Sequence, residues 1–430
     1  MRTTRDKLER ILSRLSARAA DERVFLRLYD DAARAAADAA DARRRSGVSL
    51  GPLDGAIASI KDLFDVAGEA TTAGSIVLRE APAARQDAVV LRRLRQAGAV
   101  IIGKTNMVEF AFSGLGLNPH YGTPGNAADA SLIPGGSSSG AGVSVAEGTS
   151  EISIGSDTGG SVRIPASFNG IVGFKPTARR VPLQGALPLS GTLDSIGPLA
   201  HTVQDCAWAD AVMAGEEPRE LAACPLAGLR IGVPRGRLFT ETEPLVAEAF
   251  EASLRRLSKA GARVFDIDIE DLLDGMAAAT APASIASIEA AEIHADWLTE
   301  KADLFDPRVR GRIVRSSTVP APVYIRMLRQ RSDLVRAMDE RLRTLDVLAL
   351  PATAISAPAT APLVGDDDLY ARTNLLVLRN TMIANQFDLT SISLPVRGYA
   401  RPIGLMLTAR GGHDHRLLDI AAGVERELTD

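Results

Sequence analysis

Two short clusters of glycine and serine are the residues of this sequence whose types could do chemistry: GGSSSGAG at 135–142 and GSDTGGSVRIP at 155–165. A serine hydroxyl is a weak nucleophile at its ordinary pKa and needs an adjacent base. Neutral lysine can act as that base when burial lowers its pKa. The clusters therefore indicate serine nucleophilic chemistry, provided that the fold brings a lysine to them.

Two other interpretations of the clusters are weaker. A flexible linker does not fit, because both clusters are short and lie among apolar residues at a spacing compatible with burial: Val143, Val145, Ile152 and Ile154. A phosphate-binding loop requires the pattern G-x-x-x-x-G-K-[ST], and neither cluster supplies the lysine and hydroxyl that end it. The G-x-G-x-x-G pattern of dinucleotide-binding loops is poorly matched by GGSSSGAG. A serine activated by lysine therefore remains.

The lysine that such a serine needs has few candidates. Only six of the 49 basic residues are lysine: Lys7, Lys61, Lys104, Lys175, Lys259 and Lys301. Lysine can lose its proton when buried whereas arginine effectively cannot, so a lysine in an apolar segment is a candidate base. Lys61 follows the apolar run AIASI and is the best placed. The residues alone leave two interpretations open: a catalytic base, or a strand-end lysine that extends to water.

Secondary-structure patterns predict the elements that must position these residues. Residues from about Thr4 to Arg45 are alanine-rich and charged throughout, which predicts helix. Strands alternate with helices in the rest of the chain, which predicts an α/β fold with a central mixed sheet. The Pro/Ala-rich stretch at 351–368 predicts a surface loop. The other expected elements are strands within 56–61, 99–102, 170–176, 229–236, 262–269, 346–351, 391–396 and 402–409 and helices within 86–97, 244–260 and 414–428.

Bulk composition excludes several classes of function. The chain has 430 residues, 46% hydrophobic and 24% charged, with a net charge of −4, so it has no basic footprint for nucleic acid. Its two cysteines, Cys206 and Cys224, are too few for a disulfide framework or a cysteine metal cluster and fit a reducing cytosol. The charged N-terminal segment has no apolar signal core, and no run of about 18 apolar residues occurs. We therefore expect a cytoplasmic protein that neither spans a membrane nor binds nucleic acid.

The stretch GGSSSGAGVSVAEG…GSDTGGSVRIPASFNGIVGFKPT, from Gly135 to Thr177, resembles the glycine- and serine-rich signature of the amidase signature family. The resemblance extends upstream through IKDLFDVAGEATTAGS and GAVIIGKTNMVEFAFSGLGLNPHYGTPGN, and resumes in PIGLMLTARGGHDHRLLDIAAGVE. It implies one α/β amidase domain over residues 1–430, with a central mixed sheet flanked by helices on both faces. Residues 20–215 and 380–430 are expected to form the catalytic core. Residues 216–380, where the resemblance is weak, are expected to shape the substrate pocket.

The resemblance implies a catalytic triad. Lys61 matches the general base, Ser137 the bridging serine that follows a cis peptide bond, and Ser161 the nucleophile. Lys104 and Lys175 have no catalytic counterpart in the family, so we expect structural roles for both. Glycine lets the backbone turn N–H groups toward a developing oxyanion. The residues whose backbone N–H groups match the family's oxyanion hole are Thr158, Gly159, Gly160 and Ser161.

Other residues of the two clusters are expected to support the triad. Ser138 either donates a hydrogen bond to Lys61 or caps a turn, and both interpretations stay open. Asp157 and Arg163 flank the nucleophile and are expected to brace its loop. Two residues depart from the family pattern: Ser139 stands where relatives usually have glycine, and Asn169 where many have cysteine. Neither departure touches the triad.

The reaction that the resemblance implies is hydrolysis of a linear carboxylic amide to an acid and ammonia or an amine through an acyl-enzyme, with no cofactor and no metal. The expected partner is a small-molecule amide substrate, and the family implies a homodimer. Two alternatives stay open: the A subunit of a tRNA-dependent Asp/Glu amidotransferase, which depends on another protein of its complex, and an inactive family member that serves as a binding module. The weak resemblance between 216 and 380 favours a free-standing amidase, and the intact triad argues against the inactive member.

Overall fold

A mixed sheet of eleven strands organises the part of the chain that the computed structural model describes, residues 3–429. The strands are β1 (Phe25–Leu28), β2 (Ile57–Lys61), β3 (Val100–Thr105), β4 (Ile152–Asp157), β5 (Val172–Lys175), β6 (Ser195–Ala200), β7 (Arg230–Val233), β8 (Arg263–Asp266), β9 (Val347–Pro351), β10 (Thr390–Val396) and β11 (Ile403–Ala409). Their order across the sheet is β1-β3-β2-β4-β6-β5-β10-β11-β9-β7-β8.

Sixteen α-helices accompany the sheet within the described residues. They are α1 (Thr4–Ala17), α2 (Asp30–Arg45), α3 (Val89–Gln96), α4 (Ser139–Ala146), α5 (Arg163–Asn169), α6 (Val203–Ala214), α7 (Pro244–Lys259), α8 (Glu270–Ala279), α9 (Ile285–Ile293), α10 (Ala295–Glu300), α11 (Pro307–Val314), α12 (Ala321–Arg341), α13 (Thr360–Gly365), α14 (Asp367–Leu378), α15 (Met382–Gln386) and α16 (Asp414–Thr429). This confirms the predicted α/β fold with a mixed central sheet. None of these helices is both long and apolar enough to cross a membrane.

Side chains alternate between the two faces of each strand, which divides the core between the two faces of the sheet. Ile57 of β2 packs with side chains of α1, α2 and α4, whereas its neighbour Ala58 packs with side chains of α3 and α6. Successive side chains of a strand point to opposite faces, so Lys61 lies on the same face as Ile57 and Ser59. The hydroxyl of Ser59 lies 3.3 Å from that of Ser144 in α4. This face is therefore the one that carries α4 and the serine-rich segment before it.

Strand pairing brings the two glycine–serine clusters to the lysine. β2 is parallel to β4, with Ile60 paired to Ile154. The carboxyl ends of parallel strands meet at the same edge of a sheet, so Lys61 at the end of β2 lies beside the end of β4. The second cluster begins on β4, and the first cluster ends in α4, which packs on both strands. A lysine and serines that lie about 76 to 100 residues apart in sequence meet for this reason.

The prediction of continuous helix from about Thr4 to Arg45 is wrong in its middle. Helix α1 ends at Ala17 and α2 begins at Asp30, and strand β1 (Phe25–Leu28) lies between them. β1 pairs antiparallel with β3 and forms an edge of the sheet. The segment RVFLRLY is rich in residues that favour strands, and pairing with β3 outweighs the helical preference of the alanine-rich sequence that follows it.

The prediction of a surface loop at 351–368 is wrong for residues 351–357, whereas most of residues 358–368 lie at the surface. Most of residues 351–357 are buried, and residues 360–365 form α13. Small side chains without charge can pack inside the protein when their backbone groups find partners. Ala352 donates its N–H to Gly404, and the N–H and hydroxyl of Ser356 both donate to Glu243. The Pro/Ala-rich composition therefore belongs to a packed segment.

Candidate active site

Lys61 is completely buried at the end of β2. Its Nζ lies 2.7 Å from Oγ of Ser137 and 2.9 Å from Oγ of Ser156, and both partners are neutral hydroxyls. Burial lowers the pKa of Lys61 to about 7, while the carboxylates of Asp194 and Asp157 act in the opposite direction. A large fraction of Lys61 is therefore neutral near pH 7, which is the state that a general base requires.

The first cluster places Ser137 against Lys61 and uses Ser138 elsewhere. The peptide bond between Gly136 and Ser137 is cis. The hydroxyl of Ser138 donates to the carbonyl of Ser156 at 3.3 Å, and its N–H donates to the carbonyl of Ser161, also at 3.3 Å. Of the two interpretations of Ser138, donation to Lys61 does not match the structure, and its side chain makes no capping hydrogen bond at the start of α4 either. Ser156, which the sequence did not single out, is the second hydroxyl on the lysine.

Ser161 lies between β4 and α5 and lines a cavity of about 210 Å³. Ser137 contacts Lys61 and does not line the cavity, and Ser138 joins the two clusters through its backbone hydrogen bond to Ser161. Within residues 3–429 no hydrogen bond joins the hydroxyls of Ser137 and Ser161. The structure thus brings Lys61 and Ser137 into contact and places Ser161 at the cavity wall.

A buried ion pair braces the turn that carries Ser161. The guanidinium of Arg163 lies 2.9 Å from the carboxylate of Asp157, and both side chains are completely buried. Burial by itself would raise the pKa of Asp157, but Arg163 and the surrounding hydrogen bonds lower it to about 2. Asn385 contacts both partners, accepting from Arg163 at 2.7 Å and donating to Asp157 at 2.9 Å. Neither Asp157 nor Arg163 lines the cavity.

The backbone N–H groups around Ser161 divide into two sets. Gly160 donates its N–H to the carboxylate of Asp157 at 2.8 Å, so this group is occupied within the turn. Thr158, Gly159 and Ser161 line the cavity, whereas Gly160 does not. Gly160 has φ +138°, and a side-chain Cβ there would overlap Thr381, so only glycine fits. Three of the four residues expected to form an oxyanion hole thus face the cavity.

The cavity wall is mostly apolar and draws on distant parts of the chain. Arg312 of α11 is the charged side chain among its lining residues. Its guanidinium donates to the carbonyl of Phe112 at 2.5 Å, stacks 4.1 Å over the Phe112 ring, and forms no ion pair with a carboxylate of residues 3–429. The other lining residues are Ala111, Phe112, Ser113, Thr158, Gly159, Ser161, Leu189, Leu193, Met276, Thr280, Ser284, Ile285, Ala286, Leu375, Leu378, Met382, Asn385 and Gln386. Several of these belong to residues 216–380, the region expected to shape the pocket.

The remaining lysines and the two departures from the family pattern have structural contacts. Lys104 is buried 3.6 Å from Asp62, and Lys175 is buried with its Nζ donating to the carbonyl of Pro176 at 2.7 Å. Ser139 begins α4 and donates its hydroxyl to the carbonyl of Asn106 at 3.3 Å. Asn169 donates to the carbonyls of Pro134 and Pro165. Residues 98–105 read GAVIIGKT, a literal phosphate-loop pattern, but β3 runs through them and Lys104 is enclosed.

Comparison with known proteins identifies the class of the chain. A sequence profile of the Amidase family matches residues 6–418. The chain therefore belongs to the Amidase family. The match runs through residues 216–380, where the sequence was expected to resemble the family only weakly.

Individual relatives agree with this assignment and differ in what they do. The chain is 38% identical to 2-amino-5-chloromuconic acid deaminase of Comamonas testosteroni, over 91% of this chain and 86% of that protein. It is 35% identical to the A subunit of the glutamyl-tRNA(Gln) amidotransferase of Anaeromyxobacter dehalogenans (strain 2CP-C), over 98% of this chain and 92% of that protein. A crystal structure of an amidase superposes with a TM-score of 0.88 at 33% identity, covering 99% of this chain and 96% of that one.

Proposed function

We propose that this protein is an amidase that hydrolyses a small amide carrying a carboxylate group, with Ser161 as nucleophile, Ser137 as proton relay and Lys61 as base. The observation that carries the proposal is the contact of the buried Lys61 with Ser137 at 2.7 Å, next to Ser138, whose N–H donates to the carbonyl of the cavity-lining Ser161. A lysine with a pKa of about 7 is matched to accepting and returning a proton near neutral pH.

The reaction begins with proton transfer along the triad. Neutral Lys61 takes the proton of the Ser137 hydroxyl, Ser137 takes the proton of Ser161, and Oγ of Ser161 attacks the amide carbonyl carbon. The carbonyl oxygen becomes an oxyanion, and in this proposal the N–H groups of Thr158, Gly159 and Ser161, three residues that line the cavity, stabilise it. One such donor contributes about 3 kcal/mol of barrier lowering.

The acyl-enzyme forms when the carbon–nitrogen bond breaks. The proton held on Lys61 returns through Ser137 to the leaving nitrogen, so ammonia or an amine departs neutral. Water then attacks the ester carbonyl on Ser161, giving its proton to the same relay, and the carboxylic acid is released with Ser161 restored. Every proton taken is returned, so the cycle is balanced without another reactant besides water.

Arg312 supports a carboxylate-bearing substrate. It is the charged side chain of an otherwise uncharged cavity wall and has no carboxylate partner within residues 3–429. Burial, reinforced by the nearby positive charge of Arg315, lowers the pKa of Arg312, so an anion bound there would be stabilising. Guanidinium groups pair with carboxylates through two parallel hydrogen bonds. The relative from Comamonas testosteroni is named for an acid as its substrate, which agrees with this choice.

A matched pair of substrates tests the proposal. An aliphatic amide with a terminal carboxylate and its methyl ester differ in charge and little in shape, and ammonia release measures the hydrolysis of both. The expected result is turnover of the acid, none by Ser161→Ala, and a KM for the acid that Arg312→Gln raises about 10- to 100-fold. The KM for the ester should stay unchanged. Arg310→Gln is the control, because Arg310 lies on the same helix, pairs with Asp303 at 3.2 Å and lies outside the cavity.

The A subunit of an amidotransferase is the second candidate, because the relative from Anaeromyxobacter dehalogenans matches 98% of this chain. That function delivers ammonia to a partner and not to solution. Ammonia release from carboxylated amides by the purified chain alone supports the amidase. If the purified chain is inert on every amide and becomes active only with added partner proteins and tRNA, the free-standing amidase is refuted.

A further inference from the structure

Asp194 is a buried carboxylate in the turn before β6, and its hydrogen bonds all come from neutral donors. Its Oδ2 accepts from the N–H groups of Leu189 and Ser190 at 2.9 and 3.0 Å, and its Oδ1 accepts from the hydroxyl of Thr158. Asp194 is 8% exposed and forms no ion pair with a cation within the described range. A buried carboxylate without a counter-ion is unfavourable unless a nearby charge offsets it.

Lys61 and Asp194 contact hydroxyls two residues apart at the end of β4, those of Ser156 and Thr158. β4 and β6 pair with Asp157 opposite Ser195 and Ser156 opposite Ile196, so Asp194 follows at the position beside Thr158. Ser156 holds the Nζ of Lys61 at 2.9 Å. Lys61, at the end of β2, and Asp194, just before β6, therefore approach β4 from opposite sides at positions two residues apart, and Asp194 lies next to the cavity-lining Leu193.

Other charged groups around the pair are already compensated or bonded. Asp157 is neutralised by Arg163 at 2.9 Å. The positive charge of Lys175 helps to lower the pKa of Asp157, but it is not among the main influences on the pKa of Lys61. Glu289 approaches Asp194 from α9 and is itself held by the N–H of Thr192 and by nearby hydroxyls. Asp194 is therefore the uncompensated charge that acts on Lys61.

We propose that Asp194 is a further positioning residue of this site, whose carboxylate sets how readily Lys61 binds a proton while it anchors Thr158 at the cavity wall. The inference rests on the proposed function, because it assumes that Lys61 is the base. The direction of the effect follows from charge: a carboxylate favours the ammonium, so removing it favours neutral lysine. Burial raises the pKa of Asp194 to about 6, so the carboxylate is ionised where Lys61 titrates.

The small number of lysines gives a direct readout that needs no substrate. The full chain is labelled with ¹³C at the ε position of lysine, and its six lysines are followed by NMR from pH 5 to 10. The Lys61 signal is the one that Lys61→Met removes. In Asp194→Asn we expect the Lys61 midpoint to fall by about one pH unit. The acid limb of kcat/KM should move to lower pH by the same amount, and Asp194→Glu should return both toward their original values.

A second buried aspartate supplies the matched control. Asp41 accepts two backbone N–H groups, from Thr4 at 2.8 Å and Arg5 at 2.9 Å, much as Asp194 does, but it belongs to α2 and contacts the start of α1. Asp41→Asn should leave the Lys61 midpoint unchanged. Should Asp194→Asn fail to fold, Thr158→Val removes one hydrogen bond from the carboxylate, makes it protonate at higher pH, and should lower the Lys61 midpoint by a smaller amount.

The outcomes separate this inference from the proposed function. A Lys61 midpoint that stays in place in folded Asp194→Asn, or in folded Thr158→Val where the first variant does not fold, overturns the role of Asp194. An absence of amide hydrolysis by the wild-type chain refutes the proposed function and leaves the NMR titration readable. A midpoint that falls equally in Asp41→Asn shows a general effect of removing a buried carboxylate and also overturns the assignment to Asp194.

Discussion

Replacing Lys61 by methionine should make the protein more stable at neutral pH while it abolishes amide hydrolysis. The reason is that Lys61 is completely buried and contacts only hydroxyl groups. Its ammonium form is therefore poorly solvated in the folded protein, whereas the unfolded chain exposes it to water. Methionine has similar length, carries no charge and suits a buried position.

The pKa of Lys61 gives the size of the effect. It falls from an ordinary value of 10.5 to about 7, and each pH unit corresponds to about 1.4 kcal/mol, so holding the ammonium in the folded state costs about 5 kcal/mol. Methionine leaves the hydroxyls of Ser137 and Ser156 without this partner, at about 1 kcal/mol each. The expected net gain for Lys61→Met is about 3 kcal/mol in the free energy of unfolding.

The gain must depend on pH in a defined direction. Below pH 7 Lys61 is protonated in both the folded and the unfolded states, so the folded wild-type protein bears the full cost of burying the ammonium. Between about pH 7 and 10.5 the unfolded chain binds more protons, so wild-type stability contributed by this residue rises with pH. Above 10.5 lysine is neutral in both states, and the lost hydrogen bonds alone make Lys61→Met the less stable protein.

Urea unfolding followed by fluorescence of Trp208 and Trp297 measures the difference at pH 6, 7.5 and 9.5. Lys104→Met is the control: Lys104 is also buried but lies 3.6 Å from Asp62, so its removal strands a carboxylate and should destabilise the protein at each pH. If Lys61→Met is less stable than wild type at pH 6, or if its advantage does not shrink toward pH 9.5, the reasoning about a desolvated lysine is refuted.

Three further variants test the supporting structure. Ser139→Gly, the change toward the family pattern, should lower the free energy of unfolding by about 0.5–1 kcal/mol, because Ser139 lies in α4 and glycine is unfavourable in a helix. Equal or higher stability in a urea titration would contradict this. Gly160→Ala should lose ammonia release and lower the melting temperature, because its Cβ would overlap Thr381; a wild-type melting curve rules that out. Asn385→Ala should destabilise by about 1–3 kcal/mol, because it strips hydrogen bonds from the buried Asp157–Arg163 pair, and an unchanged urea midpoint would count against this.

Sequence patterns predicted the strands and helices whose own residues favour the structure that they adopt in the fold. The strands after Gly98 and Gly170 and the unit β7–α7–β8 form as expected, because alternation of apolar residues and glycine stops act locally. β1 was missed because its short strand-favouring segment lies beside a long alanine-rich helical sequence, and pairing with β3 decides its structure. The segment 351–357 was missed because its burial depends on partners such as Glu243, more than a hundred residues away.

The site was predictable to the extent that motif spacing fixes it. The clusters and the resemblance identify Lys61, Ser137 and Ser161, but they give no signal for Ser156 as a partner of the lysine or for Arg312 in the cavity. Ser156 enters because β2 and β4 end together, and Arg312 enters because α11 lies against Phe112. Both contacts are set by the order of strands and the packing of helices, which a single sequence does not display.

Two carboxylates act on Lys61, and the protein treats them differently. Asp157 is paired with Arg163, which compensates its charge, and its oxygens accept the N–H groups of Gly160 and Val162 on either side of Ser161. Asp194 has neutral donors and keeps its charge. A buried lysine without any such charge would have a still lower pKa and would be a weaker base, whereas two uncompensated carboxylates would hold it protonated. In the proposed mechanism, compensation of one carboxylate and not the other therefore keeps Lys61 near the pH at which it takes and returns a proton.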